Sequence, residues 1–387
     1  MQPRGARWRR SGGFLYHVEF QWKVLRRRIS VAADLNGLIE ALAGTRRLLI
    51  VTHDNPDPDA LVSACALARL VGAVLGEVRC RIVCDGIVGR AENRTLKREL
   101  RIKLYPSARL NWDKWPRVAL VDSQPGTGNN CLPARRTPDV VLDHHPLRKK
   151  GRGRFVDVRP ELGACATILA EYLRLAQVNI GEKLAAGLCY AIASETQDLA
   201  RDAAQEDVNA YANLYLTADK RMLGRVLHPR LKHSYFATLT RALLAAFSYG
   251  NIVGSHLGEV DHPDSVSMVA DLLLRHERNT WAIVTGVWRD TLYVSLRTIS
   301  RRAHTGRLLQ QILPSGSRAG GHDRYAGGQI PLRGRVGAEV AAIQDEVVNR
   351  LIEHVRRRRE VTLRPLISPE ELGRALPVPA GDRSQGD

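Results

Sequence analysis

The sequence predicts an α/β protein with a parallel-sheet N-terminal domain and a smaller, mixed-sheet α/β C-terminal domain. Two observations carry this reading. Short strand-like runs recur at Arg47–Thr52, Val78–Cys84, Val118–Val121 and Val140–Leu142, with helical spacing of apolar residues between the first of them. A second alternation of strand-like and helix-like segments begins near Asn251. At 387 residues the chain is long enough for two domains of ordinary size.

The stretch to Ser30 holds Arg4, Arg7, Arg9, Arg10, Lys23 and Arg26 to Arg28, with little periodicity, and reads as a basic arm over 1–30. A helix is expected from about Ala32 to Ala43. Arg47–Thr52 is short and β-branched at its end, as a buried strand is. Helices are expected at Asp59–Val74 and Ala91–Leu100, then at Ala164–Gln177, Gly181–Ala193 and Glu206–Leu216. Strands that read as continuous apolar runs, rather than alternating ones, belong to a parallel sheet covered on both faces. The first domain therefore spans 31–217, and a helical connector follows over 218–248.

In the second domain, 249–358, strands are expected at Ile252–Leu257, Trp281–Trp288 and Thr291–Arg297. Trp288-Arg289-Asp290-Thr291 makes the turn of a hairpin. Helices are expected at Ser265–Arg275, Gly306–Leu313 and Gly337–Arg358. From 359 to 387 the chain is rich in Pro, Gly and charge and reads as a loosely held tail.

Composition narrows the function classes. Apolar residues make up 44% of the chain, and the first residues lack the apolar core of a secretory signal. No membrane partner is expected. Cys65, Cys80, Cys84, Cys131, Cys165 and Cys189 form no metal-ribbon spacing, and most lie in apolar runs. That pattern suits reduced thiols and a cytoplasmic setting. The formal charge of +18 attracts polyanions and so points to an anionic substrate. The basic run Arg148 to Arg154 has few aromatic neighbours, so it reads as a solvated charge run rather than a stacking platform.

The chemistry-bearing residues gather at strand ends. His53, Asp57 and Asp59 follow the first strand, Asp122 ends the third, and Asp143-His144-His145 end the fourth. Ligands of open parallel sheets bind outside the carboxyl ends of the strands. Carboxylate and imidazole donors suit manganese or a related divalent ion. Two such ions sharing a carboxylate would serve a phosphoester hydrolase. Asp57 and Asp59 are equally ordinary residues for starting a helix.

These motifs, THDNPDPDAL, LVDSQ and VLDHHP in that order, resemble those of the DHH phosphoesterase family. The resemblance extends to that family's C-terminal DHH-associated domain through VSLRT (Val294 to Thr298) and AGGHDRYAGG (Ala319 to Gly328). Residues 45 to 350 are covered, and the oligoribonuclease, 3′-phosphoadenosine 5′-phosphate phosphatase and RecJ-like group is the most similar part of the family. The resemblance implies two divalent ions, manganese first among candidates. One would be held by His53, Asp57 and Asp122, the other by Asp59, Asp122 and His144. It makes Asp143 the residue that orients its neighbouring histidine, and His145 the group facing the substrate phosphate.

The family's fourth motif ends in Asp-Thr, and here Glu195 stands in the aspartate's place before Thr196, with Asp198 the nearby alternative ligand. Arg297, Gly320, Gly321 and His322 would clamp a terminal phosphate, with Arg324 a further contact. Arg90 and Asn93, after the second strand, would touch substrate near the same edge. The implied reaction is hydrolysis of a phosphoester in a small nucleotide or a short single-stranded RNA or DNA, in a cleft between the domains. A homodimer is compatible with this reading. The alternative is a catalytically impaired relative that senses nucleotides or binds RNA, which the Glu195 change motivates.

Overall fold

The computed structural model describes residues 34–147, 153–300, 302–321, 323–357 and 362–375. The basic arm, most of the 148–154 run, His322 and residues 376–387 lie outside them. The chain divides into two compact units, Met1–Pro229 and Arg230–Asp387.

The first unit runs α1 (34–42), β1 (Arg47–Val51), α2 (Pro58–Leu75), β2 (Arg79–Val83), α3 (Ala91–Glu99), β3 (Leu104–Tyr105), β4 (Arg117–Val121), β5 (Val140–Asp143) and β6 (Phe155–Val158). Four helices complete it: α4 (Cys165–Leu175), α5 (Gly181–Glu195), α6 (Gln205–Thr217) and α7 (Lys220–Leu227). The sheet order is β3-β2-β1-β4-β5-β6, with every neighbouring pair parallel. The chain builds outward from β1 through β2 to β3, then returns beside β1 with β4 and builds the other way. The carboxyl ends of β1 and β4 thus form the switch point where a crevice opens.

The continuous apolar strands are explained by this packing. Leu48, Ile50, Ala119, Val121, Val140 and Leu142 face the helices, in one cluster with residues of α1, α2, α4 and α5. Leu49, Val51, Val118, Leu120 and Val141 face the other way, onto Trp115 and the segment that carries Leu110, Trp112, Cys131 and Leu132. Period-2 geometry holds, but both faces are apolar, so the sequence shows no alternation. Helix α2 is long and apolar enough by composition to cross a membrane, yet 61% of it is buried within the protein. It packs between the sheet and α4 and α5 as a core helix.

The second unit runs α8 (His233–Leu244), β7 (Ala246–Tyr249), β8 (Ile252–Glu259), α9 (Asp264–Leu273), β9 (Trp281–Trp288), β10 (Thr291–Thr298), α10 (Thr305–Ile312), β11 (Arg318–Gly321), β12 (Tyr325–Pro331), α11 (Ala338–Arg356), β13 (Arg364–Pro365) and α12 (Pro369–Ala375). Its sheet order is β11-β12-β10-β9-β8-β7-β13, parallel only between β8 and β9. Helix α11 buries Val340, Ile343, Val347, Val348, Leu351 and Ile352, a stripe at helical spacing. Each such side chain contributes ~1.5–3 kcal/mol of burial.

Several expectations need correction. The stretch 218–248 is not one connector, because α7 belongs to the first unit, α8 to the second, and Ala246 already begins a strand. The glycine-rich run adds two strands that were not expected, β11 and β12, which pair as a hairpin. Part of the expected tail is ordered, since Arg364 and Pro365 pair with Ser248 and Phe247.

The second unit also buries a histidine with unequal partners. His256 Nδ1 lies 2.7 Å from Thr285 Oγ1, which accepts from Gln344 Nε2 at 2.7 Å. Its Nε2 is buried with no hydrogen-bond partner. Burial holds this ring below its ordinary value of 6.5, against a weaker pull from Asp345. As pH falls, the unfolded chain therefore takes its proton first. Stability from this site is full above pH 6.5 and declines below it until the folded ring is protonated too. His256→Gln is expected to flatten that acid limb in a chemical-denaturation series.

Candidate metal centre

The centre forms where β1, β4 and β5 end, and the local sequence explains how each group is presented. Asp57 is the N-cap of α2, with Pro58 at the first helical position where no N–H is needed. Its Oδ1 accepts from Ala60 N at 3.0 Å, and its Oδ2 lies 3.6 Å from His53 Nε2. One carboxylate thus caps a helix and faces the centre at once, so the two readings of Asp57 are compatible. Asp122 sits just past β4 with φ +55°, a left-handed conformation that aspartate tolerates better than most residues.

Asp122 stands in the middle. Its Oδ2 is 3.4 Å from His53 Nε2 and its Oδ1 is 3.5 Å from His144 Nε2. It is 2% exposed. Both histidines have Nδ1 turned to a backbone carbonyl, His53 to Asp54 O at 2.9 Å and His144 to Leu162 O at 3.3 Å. A carbonyl only accepts, so each Nδ1 carries a proton, and Nε2 is left as the ring position that would offer a lone pair to a bound cation. Asp122 Oδ1 and His144 Nε2 are buried without a hydrogen-bond partner. Two buried acceptors facing each other call for a cation between them.

Ligand atoms of His53, Asp57 and Asp122 all lie within 4.8 Å of one another, as do those of Asp122, His144 and His145. Asp59 stands beside the second group, its Oδ2 3.8 Å from His144 Nε2. It is fully buried and caps a different helix from the one it begins. Oδ2 accepts from Cys165 N and Oδ1 from Ala166 N, both at 2.7 Å, supplying the cap that Ala164 lacks at the start of α4.

The electrostatics show too many carboxylates for the cations present. Burial, then the charges of Asp122, Asp57 and Glu195, push Asp59 well above the carboxylate range. Burial, Asp57 and Asp122 push Glu195 up to about 8. His53 is raised in spite of burial by Asp57 and Asp122. Glu195 therefore shares the field of the centre. Among the described residues no contact joins the Asp198 carboxylate to it, and Asp198 sits in a left-handed turn just past α5. A donor set of oxygens and imidazoles with excess negative charge fits divalent metal ions.

Sequence reasoning did not anticipate a supporting layer. The segment Arg159–Ala166 presents Leu162 O to His144 and two N–H groups to Asp59. It is held by Asp207, whose Oδ2 accepts from Gly163 N at 2.8 Å and Ala204 N at 2.7 Å and whose Oδ1 accepts from Thr167 Oγ1 at 2.5 Å. A side chain at Gly163 would collide with Thr196. The small residues Gly163-Ala164-Cys165-Ala166 before an apolar helix were the available signal. Asp54, Asp85 and Cys131 also converge, but both Asp85 oxygens are taken by Ser107, at 2.8 and 2.5 Å. They fix the loops beyond β1 and β2.

The remaining expected substrate contacts are placed unevenly. Arg90 is the exposed N-cap of α3 and its charge reaches Tyr190 on α5, while Asn93 is buried on the same helix. Arg297 is directed inward: its Nε donates to Asp271 Oδ1 at 2.6 Å and its Nη1 to the carbonyls of Leu296 and Ala326. Gly320 is exposed with open space where a side chain would be. Gly321 has φ +152°, and a side chain there would collide with the backbone of Tyr325 and Ala326 across the hairpin; its own backbone in turn leaves no room for a side chain at Gly306, at the start of α10. Arg324 O accepts from Thr298 N, tying the hairpin to β10.

Comparison with known proteins agrees with this architecture. Residues 249–354 match the DHHA1 domain model. An uncharacterized protein of Methanocaldococcus jannaschii, MJ1633, is 31% identical over 307 residues, covering 79% of this chain and 62% of that protein. The chain thus spans less than two thirds of that relative's length. The crystal structure of an exopolyphosphatase-related protein from Bacteroides fragilis superposes with a TM-score of 0.66 at 12% identity, covering 84% of this chain and 98% of that one. That likeness concerns the fold. The chain thus carries a DHHA1 domain over residues 249–354, and its N-terminal unit presents the strand-end motifs in the order that resembles DHH phosphoesterases.

Proposed function

We propose that this chain is a divalent-metal-dependent phosphoesterase that hydrolyses small nucleotides or short oligonucleotides at a two-metal centre, with manganese the preferred ion. The observation that carries the reading is Asp122, a buried carboxylate whose two oxygens face His53 and His144 on opposite sides. His53 and Asp57 complete one position. Asp59, His144 and Glu195 complete the other, with the longer glutamate side chain replacing the aspartate of the family motif. When bound, such ions stabilise the phosphoryl oxygens and make the attacking water more acidic.

The protein's own groups do the rest. Asp143 holds the His145 ring, with Nδ1 to Oδ1 at 2.8 Å, so that this histidine can give a proton to the leaving oxygen. Burial works against its protonation, but the Asp143 hydrogen bond and the Asp122 charge outweigh it and raise His145 to about 9. In the metal-free protein the ring is thus charged near neutrality, the form a proton donor requires. Gly320 and Gly321 offer backbone N–H groups to an anion, and Arg90 adds positive charge beyond β2.

The test presents the purified chain and manganese with 3′-phosphoadenosine 5′-phosphate, RNA of two to five residues, and a cyclic dinucleotide. Cleavage is expected with at least one class. Asp57→Ala and His144→Ala are each expected to abolish it while circular dichroism stays unchanged. Wild-type rates in either variant would remove the two-metal assignment. Tight binding without cleavage would favour the sensing alternative.

A further inference from the structure

Resting on the phosphoesterase reading, we infer that Gln124 is a positioning residue which decides between two carboxylate partners of His145. Gln124 is 5% exposed and lies two residues past Asp122. Its Nε2 donates to Asp143 Oδ2 at 2.7 Å, and lies 3.1 Å from His145 O and 3.4 Å from Pro146 O. All three surrounding atoms are acceptors, so the amide must present its NH₂ there and not its oxygen. The loop that carries it is fixed as well. Gln124 O accepts from Thr127 Oγ1 at 2.8 Å and from Asn130 Nδ2 at 2.9 Å.

Asp143 is saturated by this arrangement. Oδ1 accepts from His144 N at 2.9 Å, His145 N at 3.2 Å and His145 Nδ1 at 2.8 Å, and Oδ2 accepts from Gln124. A second carboxylate competes for the same ring nitrogen, since His145 Nδ1 is also 3.6 Å from Asp122 Oδ1. With Asp143 pinned, Nδ1 keeps its proton and its bond to Asp143, and Nε2 remains the ring position for proton transfer to substrate. Without the amide, the Asp143 carboxylate can turn about its own bond. His145 Nδ1 is then drawn toward Asp122 Oδ1, and Nε2 loses its aim at the leaving oxygen. Gln124 thereby keeps His145 aimed as a proton donor.

Two measurements on Gln124→Met test this, with Gln124→Asn as a companion that keeps polarity but is too short to reach Asp143. The first is proton NMR of the metal-free protein. The wild type is expected to show a low-field Nδ1–H resonance, lost in His145→Gln, and both Gln124 variants are expected to lose it too. The second compares a dinucleotide, whose alkoxide leaving group needs a proton, with bis(p-nitrophenyl) phosphate, whose leaving group does not. Turnover of the dinucleotide is expected to fall ~10- to 100-fold with KM unchanged, while the nitrophenyl ester is cleaved at nearly the wild-type rate. A retained resonance, or equal losses on both esters, would overturn the assignment. If wild type cleaves neither ester, the phosphoesterase reading fails, and the resonance alone then shows whether Gln124 holds the ring.

Discussion

Asp122→Asn is expected to lower turnover by about a thousandfold or more, because it removes a charge from both halves of the centre at once. Asparagine keeps the shape of the side chain and tolerates the left-handed backbone at this position, where φ is +55°. The loss is therefore chemical and not conformational. The metal-free variant is expected to melt no lower than wild type, since an uncompensated buried carboxylate is itself destabilising. Steady-state kinetics and thermal melting without metal, made on the same preparation, check both halves of this expectation.

The second large effect is on stability. Asp207 is fully buried and accepts from two backbone N–H groups and one hydroxyl. Asp207→Ala leaves the buried Gly163 N–H, the part-buried Ala204 N–H and the buried Thr167 hydroxyl without this partner, at about 1–3 kcal/mol for a buried group, so a loss of roughly 3–5 kcal/mol is expected in urea denaturation. The segment it releases carries Leu162 and the N–H groups of Cys165 and Ala166. Metal affinity is expected to fall with stability, though Asp207 approaches no ligand atom of the centre. Asp207→Asn, which keeps one acceptor, is expected to fall between the two.

The parallel sheet was readable because β1, β4 and β5 are apolar runs that no surface strand would present. Strand ends could then be paired with acids, and His53, Asp57, Asp122 and His144 do converge. The short edge strands were not readable. Phe155–Val158 interrupts its apolar residues with Asp157, which serves Arg159 and Tyr172 inside the protein. The hairpin of β11 and β12 was hidden by its glycines, which carry no side-chain period. The inward turn of Arg297 was hidden too, since its partner Asp271 lies on α9 and is set by packing alone.

The supporting residues illustrate the same limit. Gln124 and Asp207 act through contacts 19 and 44 residues away along the chain. Gln124 closes the LVDSQ motif and Asp207 also caps its own helix at Ala204 N, but neither local feature points to the distant contact. Asp59 shows a subtler case: its position at the start of α2 suggests a cap for that helix, whereas the carboxylate caps α4 more than a hundred residues later. Local sequence gives residue type and approximate face. Which distant backbone group a carboxylate meets is decided by topology.

The most direct test of the central claim is a manganese titration of the metal-free protein followed by electron paramagnetic resonance. Sites sharing the Asp122 carboxylate predict two ions per chain with an exchange-coupled spectrum at saturation. In Asp122→Asn the coupled signal is expected to be absent. A single uncoupled ion per wild-type chain, or a coupled pair that survives Asp122→Asn, would contradict the account.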